Sequence, residues 1–143
     1  MYSPSCFLYC GTSESMNDTI LLIEDNEQNR YLVTFLLEKH GYVVVAAFDG
    51  ISGIQVANTI LPLAILLDIR LPEIDGYAVT RALRSSPAQR NTPIIAVTSY
   101  AMSGDREKAL AAGCDGYIEK PIDPSTFIAE IEAFLPPKKQ ERI

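Results

Sequence analysis

The sequence predicts one α/β domain in which helices cover both faces of a five-stranded parallel sheet. Short apolar runs alternate with longer segments of helical pattern, and capping residues stand where those segments begin. Of the 143 residues, 48% are hydrophobic and 21% are charged, which is ordinary for one globular domain with a substantial core. Because crossovers between parallel strands are right-handed, the helices are expected on both faces of the sheet.

Five apolar runs are the candidate strands of this sheet. They lie at residues 20–23, 42–47, 64–67, 93–97 and 116–118. Runs of this length, rich in Ile, Leu and Val and bounded by polar or turn residues, are typical of strands buried in a parallel sheet.

The predicted helices begin at side chains that can accept hydrogen bonds from free backbone N–H groups. These caps are Asn26, Asp49, Asp75, Ser103 and Asp123. Pro124 suits the first position of the last helix, and Gly41 and Gly113 suit left-handed ends of the first and fourth helices. The last helix is expected to bury one stripe formed by Phe127, Ile131, Phe134 and Leu135.

The domain is predicted over residues 19–136, between a disordered N-terminal extension (1–18) and a charged C-terminal tail (137–143). Met16 directly precedes the first strand and is a candidate start of translation. The apolar run at residues 6–10 is too short to span a bilayer, and no basic residues precede it as in a secretory signal.

Charge and cysteine content exclude several classes of partner and location. A net charge of −6 argues against a nucleic-acid-binding face, since phosphate backbones require concentrated lysine and arginine. The three cysteines, Cys6, Cys10 and Cys114, are sparse and odd in number, so reduced thiols are expected. The sequence therefore predicts a cytoplasmic protein with neither nucleic-acid nor membrane partners.

Polar residues end four of the five apolar runs, and in a parallel sheet they would meet at one edge. They are Glu24, Asp25, Asp68, Thr98 and Lys120. Each close pair of carboxylates would repel by about 4 kcal/mol at about 4 Å and an effective dielectric of about 20, so a proton or a cation is expected there. Oxygen ligands beside a lysine and a hydroxyl favour Mg²⁺ and phosphoryl chemistry.

Taken singly, these residues have simpler interpretations. Asp25 could be a helix cap, Thr98 an ordinary strand-end residue and Lys120 a solvated charge. Asp68 is different, because Pro72 and a turn separate it from the next helix, whose natural cap is Asp75. The combination of all five favours a functional site.

The chain from residue 19 to about residue 135 resembles the receiver domain of bacterial two-component response regulators, the CheY-like family. The motifs are "LLIEDN" (21–26), "LLDIRLPEIDG" (66–76), "IIAVTSYA" (94–101) and "AAGCDGYIEKPID" (111–123). The resemblance implies a doubly wound, flavodoxin-like sheet with strand order 2-1-3-4-5. It also implies phosphorelay signalling by a single-domain regulator.

The resemblance assigns a role to each site residue. Asp68 would accept a phosphoryl group from a sensor histidine kinase or a histidine phosphotransfer protein. Lys120 would pair with Asp68 and then with the phosphoryl oxygens, Thr98 would bond the phosphoryl group, and Tyr117 would rotate inward. The implied Mg²⁺ ligands are Glu24, Asp25, Asp68 and the backbone carbonyl of Arg70.

Further expectations follow from the same resemblance. Arg70 and Tyr100 occupy positions where the family tunes dephosphorylation; because both are bulky, a long-lived phosphate is predicted. Ser99 replaces the more common alanine, and Lys120-Pro121 is a candidate cis peptide. The chain would act only on its own phosphate, and an unknown partner would dock on the face of the fourth helix, fifth strand and fifth helix.

Two other functions fit the sequence less well. A haloacid-dehalogenase phosphohydrolase also uses a strand-end aspartate with Mg²⁺, but it needs a second aspartate two residues later, where Arg70 stands. Its nucleophile also follows the first strand, whereas Asp68 follows the third. A flavodoxin-like flavin carrier needs a phosphate-binding loop after strand one, and the acidic "EDNEQN" would repel phosphate.

Overall fold

The computed structural model describes residues 18–98 and 104–135 of the chain. Its elements in chain order are β1 (Thr19–Ile23), α1 (Glu27–Lys39), β2 (Val43–Ala47), α2 (Gly50–Ile60), β3 (Ala64–Asp68), α3 (Gly76–Arg84), a short 3₁₀ helix (Pro87–Gln89), β4 (Ile94–Thr98), α4 (Asp105–Ala112), β5 (Gly116–Glu119) and α5 (Phe127–Glu132). Outside the described residues lie Met16, Ser99, Tyr100, Ser103, all of the predicted N-terminal extension except Asp18, and the whole predicted C-terminal tail.

The five strands form one parallel sheet in the order β2-β1-β3-β4-β5, which confirms the predicted fold class and strand order. The strands lie where the apolar runs predicted them, with ends that differ by at most one residue. Two of these differences matter for the site. Asp68 and Thr98 belong to β3 and β4, and Asp68 is paired with Val97, so the sheet itself holds both residues.

Alternate strand residues face two separate hydrophobic clusters, one on each side of the sheet. Leu22 and Leu66 pack with Leu37 of α1 and Phe127 of α5. On the opposite face, apolar strand residues pack with side chains of the other three helices, including Ala57, Val79, Leu83 and Ala109. Helices therefore cover both faces, as predicted.

Three of the five predicted N-caps are confirmed by hydrogen bonds to the first helical turn. Asn26 accepts from the Asn29 N–H at 2.9 Å, and Asp49 and Asp75 make the equivalent bonds at the starts of α2 and α3. Gly41 (φ 92°) and Gly113 (φ 119°) have the left-handed conformation expected after α1 and α4. A glycine in the left-handed conformation thus follows the end of each of these two helices.

The start of the last helix differs from the prediction. Asp123 accepts hydrogen bonds from the backbone N–H and the hydroxyl of Ser125, which forms a turn, and α5 begins only at Phe127. Because α5 ends at Glu132, Phe134 lies beyond it, is 37% exposed and packs over Gly116. The buried stripe therefore contains Ile128 in place of Phe134.

Within residues 18–98 and 104–135, no helix combines the length and the apolar character needed to cross a bilayer.

Candidate functional site

Asp68 is the last residue of β3, a strand buried along its whole length in the interior of the sheet. Its apolar predecessors, from Ala64 to Leu67, have no solvent exposure, and Asp68 itself is only 6% exposed. The carboxylate Oδ1 accepts a hydrogen bond from the backbone N–H of Arg70 at 2.9 Å. The packed strand and this bond fix the carboxylate at the carboxyl edge of the sheet.

Lys120 follows β5 and reaches across to two acidic residues. Its Nζ lies 2.9 Å from Glu24 Oε1 and 3.4 Å from Asp68 Oδ2. The Lys120 backbone N–H donates to the Thr98 carbonyl at 2.8 Å, and the Lys120-Pro121 peptide is cis, as predicted. The lysine side chain is 7% exposed, so its ion pairs are largely shielded from water.

Glu24 is buried where β1 ends. Its N–H donates to the Ala47 carbonyl at 3.0 Å, and its Oε2 accepts from the Asn26 N–H at 3.3 Å. Burial raises the pKa of Glu24 from 4.5 to about 6, and the neighbouring Asp68 carboxylate acts in the same direction. The hydrogen bond and charge of Lys120 oppose this rise in pKa without outweighing it.

The three carboxylates of Glu24, Asp25 and Asp68 form an acidic cluster in which one oxygen of each lies within 4.8 Å of the others. Two of them are buried, whereas Asp25 is exposed. Such a group of hard oxygen donors, with one face open to solvent, fits a divalent cation that keeps part of its water shell.

A cavity of about 540 Å³ opens beside the acidic cluster. Asp25, Arg70 and Thr98 line it, and Thr98 is 2% exposed. At the same cavity the Tyr77 hydroxyl donates to Asp105 Oδ1 at 3.2 Å, linking the starts of α3 and α4. Burial and this bond raise the pKa of Tyr77 to about 12, so the phenol stays neutral near neutral pH.

Tyr117 lies on β5, partly buried against the cluster of α2, α3 and α4. Its hydroxyl oxygen is buried and has no hydrogen-bond partner among the described residues. The guanidinium carbon of Arg106, from α4, lies 5.8 Å from the centre of the ring. An unpaired buried hydroxyl is costly, so this side chain is a candidate for movement.

The structure brings together all five residues predicted from the strand ends. Arg70 is exposed at the cavity, and Tyr100 lies outside the described residues. Sequence reasoning did not find the Tyr77–Asp105 bond or Arg30, which donates to the Glu24 carbonyl at 3.0 Å. No spacing rule connects these residues, because the first pair is 28 positions apart and the second bond depends on a side chain reaching back from α1.

Comparison with known proteins identifies the family whose members share this fold and site. Residues 20–132 match the family model for the response regulator receiver domain. The polar-differentiation response regulator DivK of Brucella ovis is 39% identical over 120 residues, which cover 84% of this chain and 98% of DivK.

Solved structures with the same fold include two that cover most of the chain. The chemotaxis protein CheY4 of Vibrio cholerae superposes with a TM-score of 0.78 and 26% identity, covering 82% of this chain and 98% of CheY4. The receiver domain of the Pseudomonas aeruginosa sensor histidine kinase PA1611 gives a TM-score of 0.76 and 38% identity, covering 82% and 97%. That structure has a magnesium ion coordinated in its active-site cleft.

Proposed function

Because the chain belongs to the response regulator receiver domain family, and so to the receivers of two-component phosphorelays, we propose that Asp68 is its phosphoacceptor. The phosphoryl group would come from the histidine of a sensor kinase or of a phosphotransfer protein. The observation that carries this proposal is the position of the Asp68 carboxylate, which ends a buried strand beside a lysine and two further carboxylates.

In the proposed transfer, an Asp68 carboxylate oxygen attacks phosphorus, and a P–O bond forms while the P–N bond to the donor imidazole breaks. The electron pair of the broken bond stays on the imidazole nitrogen. Lys120, with its Nζ 3.4 Å from Asp68 Oδ2, is near enough to pair with the carboxylate beforehand and with the phosphoryl oxygens afterwards.

Mg²⁺ is the proposed cofactor, held by Glu24, Asp25 and Asp68 and by the backbone carbonyl of Arg70. Carboxylate oxygens within 4.8 Å of one another support this assignment, as does the ion in the related PA1611 receiver. When bound, the ion would neutralise negative charge on the transferring phosphoryl group.

Phosphorylation would act as a switch through Thr98 and Tyr117. A phosphoryl group adds negative charge and strong acceptor oxygens, which the Thr98 hydroxyl and the Lys120 ammonium can each meet. As Thr98 moves toward the phosphoryl group, Tyr117 would turn further inward. A few such bonds suffice, because the two states of such switches differ by only a few kcal/mol.

The proposed output surface is the face of α4, β5 and α5, where a downstream protein would dock. A groove of about 540 Å³ on this face supports it. The residues that line it are Arg106, Tyr117, Ile118, Glu119, Glu130, Ala133 and Phe134. Because Tyr117 belongs to the groove, its rotation would change the docking surface directly.

The chain is also proposed to catalyse only its own phosphorylation and dephosphorylation, and to keep its phosphate for a comparatively long time. Arg70 supports the long lifetime of the phosphate, because it lines the cavity that an attacking water must enter.

We expect Arg70→Asn and Tyr100→Glu each to speed the loss of phosphate in the presence of Mg²⁺, measured as the decay of phosphorylated protein. Decay rates equal to that of the wild type would contradict the tuning role.

The central proposal is tested by incubating the protein with acetyl phosphate and Mg²⁺ and measuring intact mass. We expect the wild type to gain one phosphoryl group that hydroxylamine removes, as it does from acyl phosphates. Asp68→Asn should gain none, whereas Asp75→Asn, which alters a neighbouring helix cap, should be phosphorylated. A wild-type protein that stays unmodified, or an Asp68→Asn protein modified equally, would refute the assignment.

A further inference from the structure

Arg30 contacts the backbone of the acidic cluster and has no role in the proposed function. It lies in the first part of α1, and its Nη1 donates to the carbonyl oxygen of Glu24 at 3.0 Å. That carbonyl belongs to the peptide group joining Glu24 to Asp25, which are neighbours in the acidic cluster. The guanidinium therefore restrains the backbone from which both carboxylates project.

The face of the same guanidinium rests on an aromatic ring. The Arg30 Cζ lies 3.9 Å from the centre of the Phe48 ring, within the range of a cation–π contact. Phe48 is 57% exposed, so burial alone does not account for a phenylalanine there. The ring follows Ala47, whose carbonyl accepts the Glu24 N–H, so the loop after β1 is attached to the end of β2 at two points.

We propose that Arg30, supported by Phe48, is a positioning residue for the divalent-cation site, an inference that rests on the proposed function. Asp25 is exposed, so its carboxylate is not held by packing and depends on the orientation of its backbone. The arginine fixes that orientation before the cation arrives. Because the loop is already ordered, the free energy of cation binding is not reduced by an entropic cost of ordering it.

Only arginine can perform both parts of this role. Its planar guanidinium donates from an edge while its face stacks on an aromatic ring. A lysine at this position would keep the charge but could not stack and donate in the same way. Arg30→Lys therefore separates positioning from simple charge neutralisation near the carboxylates.

The test is calorimetric titration of Mg²⁺ into the full chain, with urea unfolding in a chelator to measure the stability of the metal-free fold. We expect Arg30→Gln and Arg30→Lys to weaken Mg²⁺ binding about tenfold, the lower end of the effect of losing an outer-shell partner. Phe48→Leu should weaken it about threefold, as for loss of an exposed cation–π contact. The matched control is Lys39→Gln, which removes the cation above Phe35 on the same helix and should leave affinity unchanged.

The outcomes separate this inference from the function on which it rests. If the wild type binds no Mg²⁺, both are overturned. If the wild type binds and Arg30→Gln binds equally well, only the positioning role is overturned. Wild-type affinity in Arg30→Lys together with weak binding in Arg30→Gln would assign the effect to charge and also overturn it. Should the Arg30 variants not fold, unchanged affinity in Phe48→Leu overturns the inference.

Discussion

The single charge of Lys120 forms ion pairs with two carboxylates. Its Nζ lies closer to Glu24, at 2.9 Å, than to Asp68, at 3.4 Å. Glu24 is more deeply buried, so it gains more from the pairing. Asp68 therefore shares its nearest described cation with Glu24. When the Asp68 carboxylate forms a new bond, it loses only part of the ion-pair stabilisation that Lys120 provides.

The raised pKa of Glu24 predicts a pH dependence of stability in the metal-free protein. A carboxyl with a pKa of 4.5 when unfolded and about 6 when folded takes up its proton more readily in the fold. Its full contribution to stability is present below pH 4.5 and is lost as the pH rises through about 6. The difference corresponds to roughly 2 kcal/mol.

This dependence is measured by urea unfolding with a chelator at several pH values between 4 and 7. We expect the free energy of unfolding of the wild type, relative to Glu24→Gln, to fall by about 2 kcal/mol across that interval. Glu27→Gln is a suitable control, since Glu27 is an exposed acidic residue in the first turn of α1. A constant difference between the wild type and Glu24→Gln would contradict the raised pKa.

At the scale of elements, the start of α3 packs closely against the backbone at the end of β3, next to the phosphoacceptor site. Gly76 begins α3, and its N–H donates to the Ile69 carbonyl at 2.8 Å. A Cβ at this glycine would lie 2.6 Å from Ile69 Cα and 2.8 Å from the Asp68 carbonyl oxygen. The Asp75-Gly76 pair therefore both caps the helix and permits its close approach to Asp68.

We predict that Gly76→Ala lowers the free energy of unfolding by about 2 kcal/mol, as overpacking does, despite the better helix propensity of alanine. It should also slow phosphorylation of Asp68, because backbone at Asp68 and Ile69 must shift. The matched control is Gly53→Ala, whose Cβ would have side-chain atoms of Ile23 as its three nearest neighbours. That variant should be destabilised with a smaller effect on phosphorylation. Equal phosphorylation rates in the two variants would contradict this role of Gly76.

At the scale of the whole molecule, Arg84 connects several segments at the end of the sheet that lies opposite the acidic cluster. Its guanidinium donates to the carbonyls of Gly113, Gln89 and Thr92 and forms a 2.7 Å ion pair with Asp115. It thus joins the end of α3, the 3₁₀ helix and the segments that enter β4 and β5. These bonds supply a charged donor to three backbone carbonyls, of which that of Gln89 also accepts the Thr92 N–H at 3.4 Å.

We predict that Arg84→Met lowers the free energy of unfolding by about 3 kcal/mol, because several carbonyls and one carboxylate lose a charged donor. The folded variant should still be phosphorylated at the wild-type rate, since the site lies at the other end of the strands. Urea unfolding and the acetyl phosphate assay measure the two effects. Arg81→Met, an exposed change on the same helix, should alter neither, and a loss below about 1 kcal/mol in Arg84→Met would contradict its role.

The sequence by itself determined the strand order through a family resemblance, the strand positions through apolar runs, and the site through polar residues at the strand ends. Those features are local or periodic, and a parallel sheet brings strand ends together whatever the details of packing. The start of α5 was predicted too early, because Asp123 bonds with Ser125 in a turn and the helix begins only at Phe127.

Only the tertiary structure decided how the site is supported and how its charges are distributed. The reach of Arg30 to the Glu24 carbonyl, the Tyr77–Asp105 bond and the approach of Gly76 to Asp68 depend on side-chain direction and on spacing between elements. The raised pKa of Glu24 follows from its burial, which no sequence pattern gives for a charged residue. Residue types follow from the chemistry of the site, whereas distances and burial arise only when the helices pack on the sheet.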